Sequence, residues 1–134
     1  ELRTIRGIRV LADCYNANPA SVKAALETLA AMGGERTVAV LGDMLELGDA
    51  AIEAHREAGR TAAALRIGLL IAVGPLGRHI AEGARSAGMA SERVRMADTP
   101  SQAAVLVRGL VHAGDTMLVK GSRGMKMETV LEEF

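Results

Sequence analysis

Short apolar runs alternate with longer alanine-rich stretches along the chain, and that alternation limits the possible folds more than any other feature. Leu2–Ile5 and Ile8–Ala12 flank Arg6-Gly7, a turn-compatible pair, and predict a small hairpin or one bent strand. Asn18 can cap the next helix with Pro19 at its first position. Val22, Ala25, Leu26, Leu29 and Met32 then recur at helical spacing until Gly33-Gly34 stops the run. Further strands are predicted at Thr37–Leu41, Ile67–Val73, Arg93–Ala97 and Thr116–Val119. Between them lie helices from about Asp49 to Leu65, from Gly74-Pro75 to Ala87, and from Thr99-Pro100 to His112. A terminal helix is predicted from about Met125.

Strand and helix in this order imply right-handed crossovers. The expected fold class is therefore α/β. It is a Rossmann-like three-layer sandwich, a mainly parallel sheet with helices on both faces and an N-terminal hairpin or bent strand. The strand runs are continuously apolar, as burial on both faces requires. Ligands of such sheets bind beyond the carboxyl ends of the strands. That directs attention to Asp13–Asn18, Gly42–Gly48, Gly74–Gly77, Asp98–Ser101 and Lys120–Gly124.

Residues 1–134 fit one domain, and the first residue is not Met, so the chain is expected to be a domain cut from a longer enzyme. Acids and bases number 16 each and are interspersed, which argues against a nucleic-acid footprint or a membrane patch. With one Tyr, one Phe and no Trp, there is no aromatic platform for stacking single-stranded bases. The lone Cys14 cannot form an internal disulfide and reads as cytoplasmic. A monomer is expected. His55, His79 and His112 are not spaced as metal ligands, and no metal site or catalytic residue is assigned.

Three stretches can carry chemistry. Asp13-Cys14-Tyr15-Asn16-Ala17-Asn18-Pro19 puts a carboxylate at a strand end, then two amides, then a helix start; such a carboxylate suits ribose hydroxyls. Asn18 alone is explained by capping. Leu41-Gly42-Asp43-Met44-Leu45-Glu46-Leu47-Gly48 carries two acids that could hold a cation or a ligand hydroxyl, or it could be a packed turn. Val119-Lys120-Gly121-Ser122-Arg123-Gly124 resembles an anion cradle ahead of a helix, without the glycine spacing of a P-loop. Two cations before a helix start are badly placed for structure alone. Cys14 lacks a base partner, and its acidic neighbour raises its pKa.

In this order and spacing the three stretches resemble the C-terminal domain of the Mur ligases, in the branch that attaches D-alanyl-D-alanine, over essentially the whole chain. The resemblance implies ATP-dependent ligation of D-alanyl-D-alanine to UDP-N-acetylmuramoyl-tripeptide through an acyl phosphate. It implies a domain that closes on a central ATPase domain of the same chain. Asp13 matches the family's acid to the ATP ribose. Asn16, Asn18, Lys120, Ser122 and Arg123 match positions for the dipeptide, with Lys120 or Arg123 meeting its carboxylate. The family's phosphate loop, carbamylated lysine and Mg²⁺ ligands belong to the central domain, so ATP and Mg²⁺ are held mainly outside this chain, which is expected to be inactive alone. Two alternatives stay open: a self-standing nucleotide- or anion-binding regulatory module, and the C-terminal domain of a folylpolyglutamate synthase.

Overall fold

The computed structural model describes residues 1–134. Strands β1 (Leu2–Ile5) and β2 (Ile8–Asp13) pair antiparallel as a hairpin, which settles the choice left by the sequence. Arg6 and Gly7 both take positive φ, 52° and 79°, the turn geometry that matches the twist of paired strands. Next come α1 (Pro19–Met32), β3 (Thr37–Gly42), α2 (Ala51–Ala64), β4 (Leu69–Val73) and α3 (Gly77–Ser86). The chain continues as β5 (Val94–Ala97), α4 (Pro100–Leu110), β6 (Thr116–Lys120) and α5 (Glu128–Glu133). The six strands run in the order β1-β2-β6-β3-β4-β5, and every pairing except β1 with β2 is parallel.

Alternate strand residues face opposite layers. Val38, Val40, Ile71, Met117 and Val119 pack with α4 and α5 on one face. Ala39, Leu41, Leu70, Ala72 and Leu118 pack with α1, α2 and α3 on the other. On the second face α2 and α3 cross at small residues. A Cβ on Gly59 would overlap the Ile80 carbonyl, and one on Gly83 would overlap the Arg56 carbonyl.

The helix starts obey their local signals where those exist. Asn18 Oδ1 accepts the Ser21 N–H at 2.9 Å, and the Asn18 N–H returns a bond to Ser21 Oγ at 3.0 Å. Thr99 Oγ1 accepts the Gln102 N–H at 3.2 Å ahead of Pro100. The last helix starts later than about Met125. Arg123–Met125 forms one 3₁₀ turn, Lys126 swings into left-handed backbone with φ 55°, and α5 begins at Glu128. The Lys120–Gly124 stretch therefore does not run straight into a helix start, and the dipole argument for it falls away.

Candidate functional site

Strand β6 lies between β2 and β3, although they are far apart in sequence. The helix after β2 covers one face of the sheet and the helix after β6 covers the other, which makes this a topological switch point. The loops after β2, β3 and β6 meet there, and Ser122 is their knot. Its N–H donates to the Asp43 carbonyl at 3.1 Å. Its Oγ accepts the Leu45 N–H at 2.9 Å and donates to the Ala17 carbonyl at 3.4 Å. One hydroxyl thus joins all three loops, and the sequence order of the motifs becomes a single locus.

Lys120 and Asp13 end neighbouring strands in register and on the same face. Lys120 Nζ lies 2.5 Å from Asp13 Oδ2 and donates to the Asn16 carbonyl at 3.0 Å. The lysine is 1% exposed, whereas the Asp13 side chain is 49% exposed and opens on a groove of about 550 Å³ between the hairpin and α1. Lys120, one of the two cations expected at the dipeptide carboxylate, lies below the surface, with its charge matched by Asp13. That match also explains why a lysine is tolerated at this strand end.

Arg123 is exposed and stands over the ring of Tyr15, 6.0 Å from its centroid. Tyr15 is 75% exposed, although it is one of only two aromatic residues in the chain. That rarity was the available signal, and sequence reasoning passed it over. Asn16 is exposed, with its carbonyl turned inward to Lys120. Asn18 spends its side-chain oxygen on the α1 cap, as capping alone would require.

The Gly42–Gly48 loop takes the packed-turn alternative for Asp43 and Met44, both of which are buried. Asp43 Oδ1 accepts the Leu76 N–H at 3.1 Å, just ahead of α3, so it caps that helix from a different loop. Burial raises the Asp43 pKa, with the Leu76 hydrogen bond and the nearby His55 pulling it back. Glu46 stays exposed at the loop tip in left-handed backbone, φ 64°. Met127 closes the site from below and lies so near Gly42 and Gly121 that a Cβ on either would be 2.7 and 2.6 Å from it. Cys14 is buried beside the site, and its pKa is pushed up to about 11, first by burial and then by Glu128 and Asp13.

No three His, Cys, Asp or Glu side chains cluster closely enough to hold a metal ion. The loops tied at Ser122 carry a half-exposed carboxylate on Asp13, an exposed guanidinium on Arg123 and the exposed Asn16. Those groups suit hydroxyl, carboxylate and peptide partners.

The family model for the Mur ligase, glutamate ligase domain matches residues 1–123. The chain is 35% identical over 134 residues to the UDP-N-acetylmuramoyl-tripeptide–D-alanyl-D-alanine ligase of Bacillus subtilis, covering 99% of this chain and 29% of that protein. It is 40% identical over 136 residues to the same-named ligase of Mycobacterium leprae, covering 89% of this chain and 26% of that protein. Among solved structures, MurF of Acinetobacter baumannii superposes with a TM-score of 0.84 at 32% identity, over 98% of this chain and 29% of that one. MurF of Thermotoga maritima in complex with ADP gives 0.81 at 28% identity, over 99% of this chain and 29% of that one. The chain thus spans less than a third of the length of each of these relatives. Motif order, sheet topology and this match over nearly the whole chain agree, and the chain belongs to the Mur ligase family, as its glutamate ligase domain.

Proposed function

We propose that this chain is the C-terminal, substrate-closing domain of an ATP-dependent ligase that adds D-alanyl-D-alanine to UDP-N-acetylmuramoyl-tripeptide in peptidoglycan synthesis. The observation that carries the reading is the junction itself. Three loops tied at Ser122 present the half-exposed Asp13 carboxylate and the exposed Arg123 guanidinium together at the switch point. The relatives support it, since those named above act on this dipeptide and one was solved with ADP.

In this reading Asp13 accepts a hydrogen bond from a ribose hydroxyl of ATP with the oxygen that Lys120 does not hold. Arg123 takes the dipeptide carboxylate through its paired N–H donors. Asn16, and the amide nitrogen that Asn18 keeps after capping, reach the peptide group. Ser122 and Lys120 act from beneath by fixing the loops that carry those groups. ATP supplies the activation of the tripeptide carboxylate. Its phosphates and Mg²⁺ belong to a central ATPase domain of the same chain, since the donors present here fit a ribose and a carboxylate and not a cation. A cytoplasmic monomer completes the reading.

Steady-state kinetics of the ligase that carries this domain test it. Asp13→Ala should raise the KM for ATP, and Arg123→Ala the KM for D-alanyl-D-alanine, each by at least about tenfold, the effect of one lost charge-assisted hydrogen bond. If both variants kept unaltered KM values, the assignment would be wrong. The 134-residue chain alone should release no ADP, and measurable turnover by it would overturn the division of labour.

A further inference from the structure

Lys120 has three N–H donors on a buried ammonium, and the structure shows where two of them go. One meets Asp13 Oδ2 and another the Asn16 carbonyl, at 2.5 and 3.0 Å. On its other side the strand register sets Lys120 beside Leu41, a hydrocarbon neighbour, so Asp13 is the one carboxylate paired with it. A buried ion pair is a weak source of stability, because desolvation offsets much of the attraction. This pair is also lopsided: the cation is 1% exposed and the anion 49%. That asymmetry suits orientation better than core stability. The ammonium takes one carboxylate oxygen, no hydrogen bond from the protein takes the other, and Asp13 lines the groove. The same ammonium turns the Asn16 carbonyl inward and leaves the Asn16 side chain exposed.

We propose that Lys120 is a positioning residue for the ligand-binding edge: it holds Asp13 and the Tyr15–Ala17 loop in place and does not itself touch the dipeptide. The ligand-binding consequence rests on the reading that Asp13 meets the nucleotide. Lysine suits the role because its compact ammonium reaches two acceptors at different angles, which a planar guanidinium under the same loop cannot match.

Two measurements keep this proposal separable from that reading. In the ligase that carries the domain, Lys120→Met should raise the KM for ATP about tenfold and affect the KM for D-alanyl-D-alanine less. In an Asp13→Asn background, Lys120→Met should add little further, because the lysine acts through the aspartate. A dipeptide KM that rises while the ATP KM stays put would overturn the proposal. So would effects of the two substitutions that multiply in the double variant. If Asp13→Asn leaves the ATP KM unchanged, the nucleotide reading fails, and positioning is judged by backbone amide order parameters from nuclear magnetic resonance of the 134-residue chain. There Lys120→Met should lower the order parameters of Tyr15–Ala17 and spare those of Met44 and Leu45. Unchanged order parameters in Tyr15–Ala17 would sink the idea. If Lys120→Met does not fold, Lys120→Arg takes its place with the same expectations.

Discussion

His55 accepts the backbone N–H of Met44 on Nε2 at 3.0 Å, while its Nδ1 donates to the Ala51 carbonyl 2.6 Å away. Both ring nitrogens are occupied, Nε2 by the Met44 N–H and Nδ1 by the Ala51 carbonyl. The ring is completely buried and joins the first turn of α2 to the loop after β3. Replacing it by Ala leaves a buried Met44 N–H without a partner and opens a cavity. His55→Ala should therefore cost about 2–4 kcal/mol in chemical denaturation. Amide exchange should rise first across Met44–Leu47. A loss under about 0.5 kcal/mol, the usual range for an uninvolved surface position, would contradict this role.

The contact between α2 and α3 depends on the absence of two Cβ atoms. Gly59 meets the Ile80 carbonyl and Gly83 meets the Arg56 carbonyl, and neither backbone can yield as a side chain could. Gly59→Ala and Gly83→Ala should each lower the Tm by roughly 5–15 °C, against the usual gain of alanine over glycine within a helix. Gly109, also helical, has nothing within 4 Å of a built Cβ, and Gly109→Ala should be neutral or stabilising.

Cys14 should be slow to alkylate. Its thiol is buried and its pKa stands near 11 against an ordinary 9.0, so almost no thiolate forms near neutrality. Because the folded value is raised, the linked stability is complete below pH 9 and is lost as the pH climbs towards 11. Cys14→Ala should flatten the fall in stability over that window. Fast modification of the folded chain at pH 8 would contradict the burial of this thiol.

Asp43 titrates with the same sign, in the acid range. Burial raises its pKa above 3.8, so the folded state binds this proton more tightly than the unfolded chain does. Its contribution is therefore favourable at low pH and declines as the pH rises above the ordinary carboxylate range. Asp43→Asn keeps an oxygen for the Leu76 N–H and removes the buried charge. The variant should show a shallower dependence of stability on pH in that window. A steeper dependence would mean that the charge is stabilised where it lies.

Much of the architecture was legible because it is local. Apolar runs short enough for strands, Asn18-Pro19 and Thr99-Pro100 at helix starts, and Gly33 at a helix end all act within a few residues, and the structure repeats them. The start of α5 was misplaced because the left-handed Lys126 and the 3₁₀ turn before it leave no mark in residue type. Arg6, Glu46 and Arg66 share that silence, since each takes positive φ without being glycine.

The three motifs were visible as strings, and the sequence alone marked Asp13, Asn16, Asn18, Lys120, Ser122 and Arg123 as polar groups near strand ends. Their division of work was not visible. Strand order set β6 between β2 and β3, and only that placement joins Asp13 to Lys120 across 107 residues, or Ser122 to Ala17 across 105. Burial then decided which charge is exposed: Asp13 is half open, and Lys120 is covered. Side-chain type fixes what a group can donate or accept, and the sequence states that completely. Depth and partners depend on long-range packing, and so the structure alone shows that Lys120 is buried under the loop after β2 while Asp13 and Arg123 stay exposed.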